Sequence, residues 1–112
     1  MNHPACPFLS PSERLPASCR EKLAEKTHRY ERLLNTARTS VTPAPDPSTP
    51  LFLLATRTLE VADAYAGRGA WLSGEDGLED ALAAFSYGHG WLDAGTRAGL
   101  FVIHAERDIF TV

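Results

Sequence analysis

The sequence predicts an all-α protein, a three-helix up-down-up antiparallel bundle with a disordered N-terminal arm and a C-terminal tail packed on the bundle. Three observations carry this expectation. Apolar residues recur at steps of three and four along three stretches. Proline-rich or glycine-acid segments separate those stretches. The two connections, about eight and about three residues long, are short enough to make consecutive helices antiparallel neighbours.

Residues 1–17 contain Pro4, Pro7, Pro11 and Pro16, which interrupt any regular element, so this arm is expected to be disordered, with Phe8 and Leu9 available to dock it. Residues 18–112 form the single domain. The first helix is predicted over about 18–41. Ser18 and Glu21 have the spacing of a capping box, and Leu23, Thr27, Tyr30, Leu34, Ala37 and Val41 form a seam that faces one partner. "TPAPDPSTP" then ends it, because prolines lack the donors that a helix interior needs.

Thr49 is the expected N-cap of the second helix, predicted over about 50–73, with Pro50 at its first position where the missing N–H costs nothing. Leu51, Leu54, Thr58, Val61, Ala62, Tyr65, Gly69 and Leu72 supply its seam, and Gly74 its C-terminal glycine. Asp76 and Glu79 repeat the capping spacing, and the third helix is predicted over about 77–100. The tail "FVIHAERDIFTV" is rich in β-branched and aromatic residues, but a lone strand has no partner. It is therefore expected to fold back over the helices.

The third helix raises a question of its own. It contains several glycines, each costing about 1 kcal/mol relative to alanine in a helix interior. At 100° per residue, Ala84, Gly88, Leu92, Gly95 and Gly99 fall close to one line, while Gly90 lies on the opposite side. A packing stripe explains this register: without side chains between them, two helices approach closely and the flanking large residues meet the partner. This places the third helix in the groove between the other two.

"ALAAFSYGHGWLDAGTRAGLF", preceded by "LSGEDGLED" and followed by a terminal "FTV", resembles the archaeal domain-of-unknown-function family 357. The resemblance covers about Ser18 to the C-terminus and is most specific from Asp80 to Phe101; the proline-rich arm, Gly67 and Gly69 depart from the pattern. It implies a compact helical bundle, and it implies no reaction, cofactor or catalytic residue.

Composition narrows the function classes. The chain has 112 residues, 44% hydrophobic and 22% charged, which is the balance of one folded domain. A net charge of −3 provides no overall attraction to nucleic acid or anionic lipid. Between Glu13 and Arg38, seven basic residues against four acidic leave a local excess of 7 − 4 = +3, read as a solvated face with i,i+4 pairs such as Glu25 and Arg29. Cys6 and Cys19 match no paired framework, so neither a metal nor a disulfide role is expected. No cofactor is expected, no run is long enough to span a membrane, and the cytoplasm is the expected compartment.

Three constellations of residues have the types that chemistry uses. Ser86, His89 and Asp93 resemble a triad in composition, but one helix carries all three side by side rather than converging on a substrate. His89 and Asp93, with His104, make half of a metal site, and no second helix supplies the rest. Arg97 and His104 have six residues between them, a spacing similar to that of HEPN-class helical-bundle ribonucleases, where arginine holds a phosphate and histidine moves a proton. The competing reading pairs Arg97 with Asp93 and leaves His104 in the tail.

The expected function is therefore a non-enzymatic interaction or scaffold module. Its expected partner is another protein or a second copy bound through the third helix, and neither nucleic acid nor membrane. The alternative is a HEPN-like RNA-cleaving or nucleotide-binding bundle that uses Arg97 and His104.

Overall fold

The computed structural model describes residues 17–75 and 77–105. In chain order it contains α1 (Ala17–Arg38), β1 (Val41–Pro43), α2 (Pro50–Gly74), α3 (Leu78–Arg97) and β2 (Phe101–Ile103). The fold is an all-α bundle with a small β ribbon at one end. The expected disordered arm lies outside the described residues, apart from Ala17.

α1 buries Cys19, Thr27, Leu34 and Ala37, with Leu23 and Tyr30 half-buried between them, so the predicted stripe faces the core. Ser18 is inside the first turn rather than ahead of it, because the helix already includes Ala17. Cys19 is disulfide-bonded, contrary to the expectation that the cysteines stay unpaired; the only other cysteine, Cys6, lies outside the described residues. The helix ends at Arg38, three residues before the expected Val41. There Thr39 Oγ1 donates to Asn35 O and Ser40 Oγ to Thr36 O, so hydroxyls satisfy the last carbonyls. Arg38 also reaches α2, its Nη1 lying 3.2 Å from Asp63 Oδ1.

Val41 is buried as predicted, but in a strand. β1 pairs antiparallel with β2, with Val41 opposite Ile103, Thr42 opposite Val102 and Pro43 opposite Phe101. Bonds from Ala44 N to Leu100 O (2.8 Å) and from His104 N to Ser40 O (2.7 Å) extend the ribbon at both ends. Residues 101–103 of the tail are therefore a strand that pairs with β1 and also packs on the end of the bundle, while residues 106–112 of the tail lie outside the described residues. The partner strand lies in the proline-rich connector, some sixty residues away in sequence, where proline is tolerated because the ribbon has only edges. Beyond β1, Asp46 Oδ1 accepts from the Ser48 amide at 2.8 Å, which holds this exposed carboxyl below its ordinary pKa.

α2 starts as the sequence predicts. Thr49 has extended backbone, its Oγ1 accepts from Phe52 N at 3.3 Å, and Pro50 opens the helix. The buried side of α2 is Ala55, Thr58, Ala62, Ala66 and Gly69; Leu51 and Leu54, expected in the seam, are exposed. Gly67 and Gly69 do not break the helix, which continues through Gly74 to a cap at Glu75.

α3 begins after Gly77, which provides no side-chain cap; Asp76, the expected cap, lies outside the described residues. The helix ends at Arg97, not near residue 100. Gly99 N bonds Thr96 O at 3.1 Å and Leu100 N bonds Gly95 O at 2.9 Å, the two bonds of a Schellman motif. Gly99 has φ +80°, and Leu100 is buried beside the core. Gly99 accordingly leaves the predicted packing stripe: it is an exposed turn residue, required for its left-handed backbone.

Ala84, Gly88, Leu92 and Gly95 are all buried. α3 packs most extensively on α2, then on α1, while α1 and α2 touch each other much less, so α3 lies in the groove between them. A Cβ on Gly88 would sit 2.8 Å from Leu34 Cδ2 of α1 and 3.0 Å from Tyr65 Cβ of α2. One on Gly95 would come 2.5 Å from Phe101 Cε2, so that glycine receives the ring of β2 rather than a helix. Gly69 of α2 has the same role for Phe85, which is buried directly over it. Gly90 has open space around it.

These contacts set three expected outcomes in thermal unfolding. Gly95→Leu lowers the melting temperature, since overpacking a filled site costs about 1 to 3 kcal/mol and outweighs the helix-propensity gain. Gly90→Ala leaves it unchanged or raises it, by up to about 1 kcal/mol of propensity; a higher melting temperature for Gly95→Leu would remove close packing as the reason for the stripe. Gly99→Ala destabilises by about 1 to 2 kcal/mol because of backbone conformation alone.

Candidate functional site

α3 has a second apolar side. From Ala81 to Leu92 it carries no Asp, Glu, Lys or Arg, although only part of its circumference is buried. Ala83, Tyr87, Trp91 and Ala94 face solvent at steps of four, four and three, as a packed seam would, with Gly90 exposed among them. Tyr87 is 63% and Trp91 47% exposed. Between them, Ser86, Gly90 and Ala94 complete a shallow apolar groove of about 390 Å³. Its floor exists because Gly90 has no side chain.

The groove is supported from behind. The Tyr65 ring of α2 lies 5.8 Å from the Tyr87 ring at 52°, a tilted aromatic pair that fixes one wall of the groove. Beside it, Tyr65, Arg68, Leu72, Asp80, Ala83 and Ala84 line a more polar recess of about 290 Å³ between α2 and α3. Leu51, Leu53 and Leu54 add exposed apolar surface on the first turn of α2. The basic side of α1 carries a separate recess of about 290 Å³ at Arg29, Arg32, Leu33 and Thr36.

The residues singled out for chemistry are not drawn into one site. Arg97 Nε donates to both oxygens of Asp93, at 3.0 and 3.1 Å, one turn back on the same helix. His104 Nε2 lies 2.9 Å from Thr42 Oγ1 across the ribbon. Arg97 and His104 thus each have a different partner, and both are exposed. Within Ser86, His89 and Asp93, the histidine is buried at 3% exposure and the carboxylate is occupied by Arg97. Among the described residues, no group of three or more His, Cys, Asp or Glu is placed to hold a metal ion. Ser73 Oγ and Thr96 Oγ1 are buried without a hydrogen-bond partner, but at opposite ends of the antiparallel α2 and α3.

The helical wheel places Tyr87 and Trp91 beside the inward stripe, in an apolar arc wider than one contact needs, where flanking residues are expected to meet the neighbouring helices; in the structure both are exposed instead. The signal was present: twelve residues without a charge on a helix that a three-helix bundle buries on one side only.

No described helix is long and apolar enough to cross a membrane. No curated protein and no solved structure matches the chain. A family described as protein of unknown function (DUF357) matches residues 29–101, a span from the middle of α1 through the start of β2 that contains α2, α3 and the groove. With most of its length matched, including every element that builds the groove, the chain belongs to the DUF357 family.

Proposed function

We propose that this protein is a non-enzymatic interaction module that binds a protein partner through the outer face of α3. One observation carries the reading: the groove at Gly90 is apolar, flanked by the exposed rings of Tyr87 and Trp91, and none of its lining residues is charged. Exposed apolar surface of this kind is unfavourable in water and marks docking sites in soluble proteins. Half-exposed aromatics beside a small hollow are also the residue types that dominate binding energy at interfaces. No cofactor is needed for such a role.

The alternative, an RNA-cleaving or nucleotide-binding bundle, requires Arg97 and His104 to act on one phosphate. Their separate engagement with Asp93 and Thr42 supports it less well. We assign the protein to the cytoplasm of an archaeal cell.

Two measurements test the assignment. Trp91→Glu is expected to keep the helical circular dichroism spectrum and to lose the protein partner that the native chain retains in a pull-down; identical retention by both would overturn the reading. Incubation with mixed RNAs is expected to show no cleavage by the native chain or by Arg97→Ala. Cleavage lost in Arg97→Ala would favour the nuclease instead.

A further inference from the structure

We infer that the occupant of the groove is a second copy of this chain, bound through an antiparallel α3–α3 contact about a twofold axis. The inference rests on the interaction-module reading and names its partner. A twofold interface requires a surface complementary to itself, in which residue i meets j and j meets i. The outer face of α3 meets this requirement in shape and in charge.

Shape comes first. Tyr87 projects three residues before the hollow at Gly90, where a Cβ would meet nothing within 4 Å. If two α3 helices run antiparallel, with the axis level with Gly88 and His89, Tyr87 of each copy faces Gly90 of the other. The same register sets Ala83 opposite Ala94, so small residues meet on both sides of the knob and the backbones approach closely. Each ring fills the other copy's groove.

Charge favours the same orientation. The acidic residues of α3's first turn are Glu79 and Asp80, and the basic residue of its last turn is Arg97. Glu79 and Arg97 are about five turns apart and so lie on the same side of the helix. An antiparallel pair brings Glu79 of each copy to Arg97 of the other, twice, at the exposed rim, where Arg97 keeps its Nε on Asp93 and turns its terminal nitrogens to Glu79, and it opposes the helix dipoles. A parallel pair would set Glu79 against Glu79 and Arg97 against Arg97. The uncharged middle, Ala81 to Leu92, introduces no like-charge repulsion when it meets itself. A contact along one helix is at the small end of interface sizes, so the dimer is a weak one.

Sedimentation equilibrium of the full chain over a range of concentrations tests this. The expected result is a monomer–dimer equilibrium that Gly90→Arg weakens about tenfold or more by filling the central hollow. Gly67→Arg, at an equally open position on α2, leaves it unchanged. Glu79→Arg and Arg97→Glu each weaken the dimer several-fold, and the double variant recovers it, which only contact between copies explains because the two positions are far apart within one α3. Circular dichroism melts confirm that every variant is folded. A chain that stays monomeric, a dimer indifferent to Gly90→Arg, or a double variant without recovery overturns the inference. A native monomer that still loses a different protein on Trp91→Glu would end this inference and keep the interaction reading; if that retention were also unaffected, both would fall.

Discussion

The bundle depends on three places where a side chain is missing. Phe85, the largest fully buried side chain among the described residues, packs on α2 where Gly69 leaves room for its ring, and Leu34 and Tyr65 close on the bare backbone of Gly88 from two different helices. At the far end of α3, Gly95 accepts the ring of Phe101. Each glycine weakens its helix locally, by about 1 kcal/mol against alanine, and this is offset by the contact that its missing Cβ permits. Because the three sites are spread along α3 and its partners, they set how deeply α3 sits between α1 and α2.

The β ribbon follows from this arrangement. Once Phe101 is seated on Gly95, the chain leaving α3 must reverse direction, and Gly99 with its positive φ makes that reversal through a Schellman motif. β2 then runs beside β1, and the ladder satisfies backbone groups that the proline-rich connector and the short tail would otherwise expose. The two strands bury Val41 and Phe101 on the end of the bundle. A ribbon this short would be marginal alone; here packing on the helices maintains it.

Burying α3 on one side leaves the other side available. A helix set deep in a groove typically shows a polar back to solvent, yet the back of α3 carries Tyr87, Trp91 and small residues around an open hollow. Gly90 differs from the inward glycines in this respect: its missing Cβ makes room for nothing among the described residues. In packing terms, one helix thus has two seams, one satisfied by α1 and α2 and one facing outward.

Much of this was legible locally. The seam of α1, the Thr49 cap with Pro50 behind it, and the stripe of Ala84, Gly88, Leu92 and Gly95 follow from the helical period and from capping chemistry, which act over a few residues. Other features did not. Leu51 and Leu54 fit the period of α2 yet are exposed, while Ala55 beside them is buried. Val41 and Gly99 also fit helical lines, and both lie outside helices because a strand partner some sixty residues away and a left-handed turn decided their backbones.

Periodicity and caps act over a few residues, and they are enough to specify the three helices, their order, the inward face of α3 and the Arg97–Asp93 pair one turn apart. Which residue fills each glycine slot, which strand β2 joins and that His104 meets Thr42 are settled by packing between distant segments. Those outcomes depend on contacts between residues distant in the chain, and the energies that select them arise only once the helices are packed.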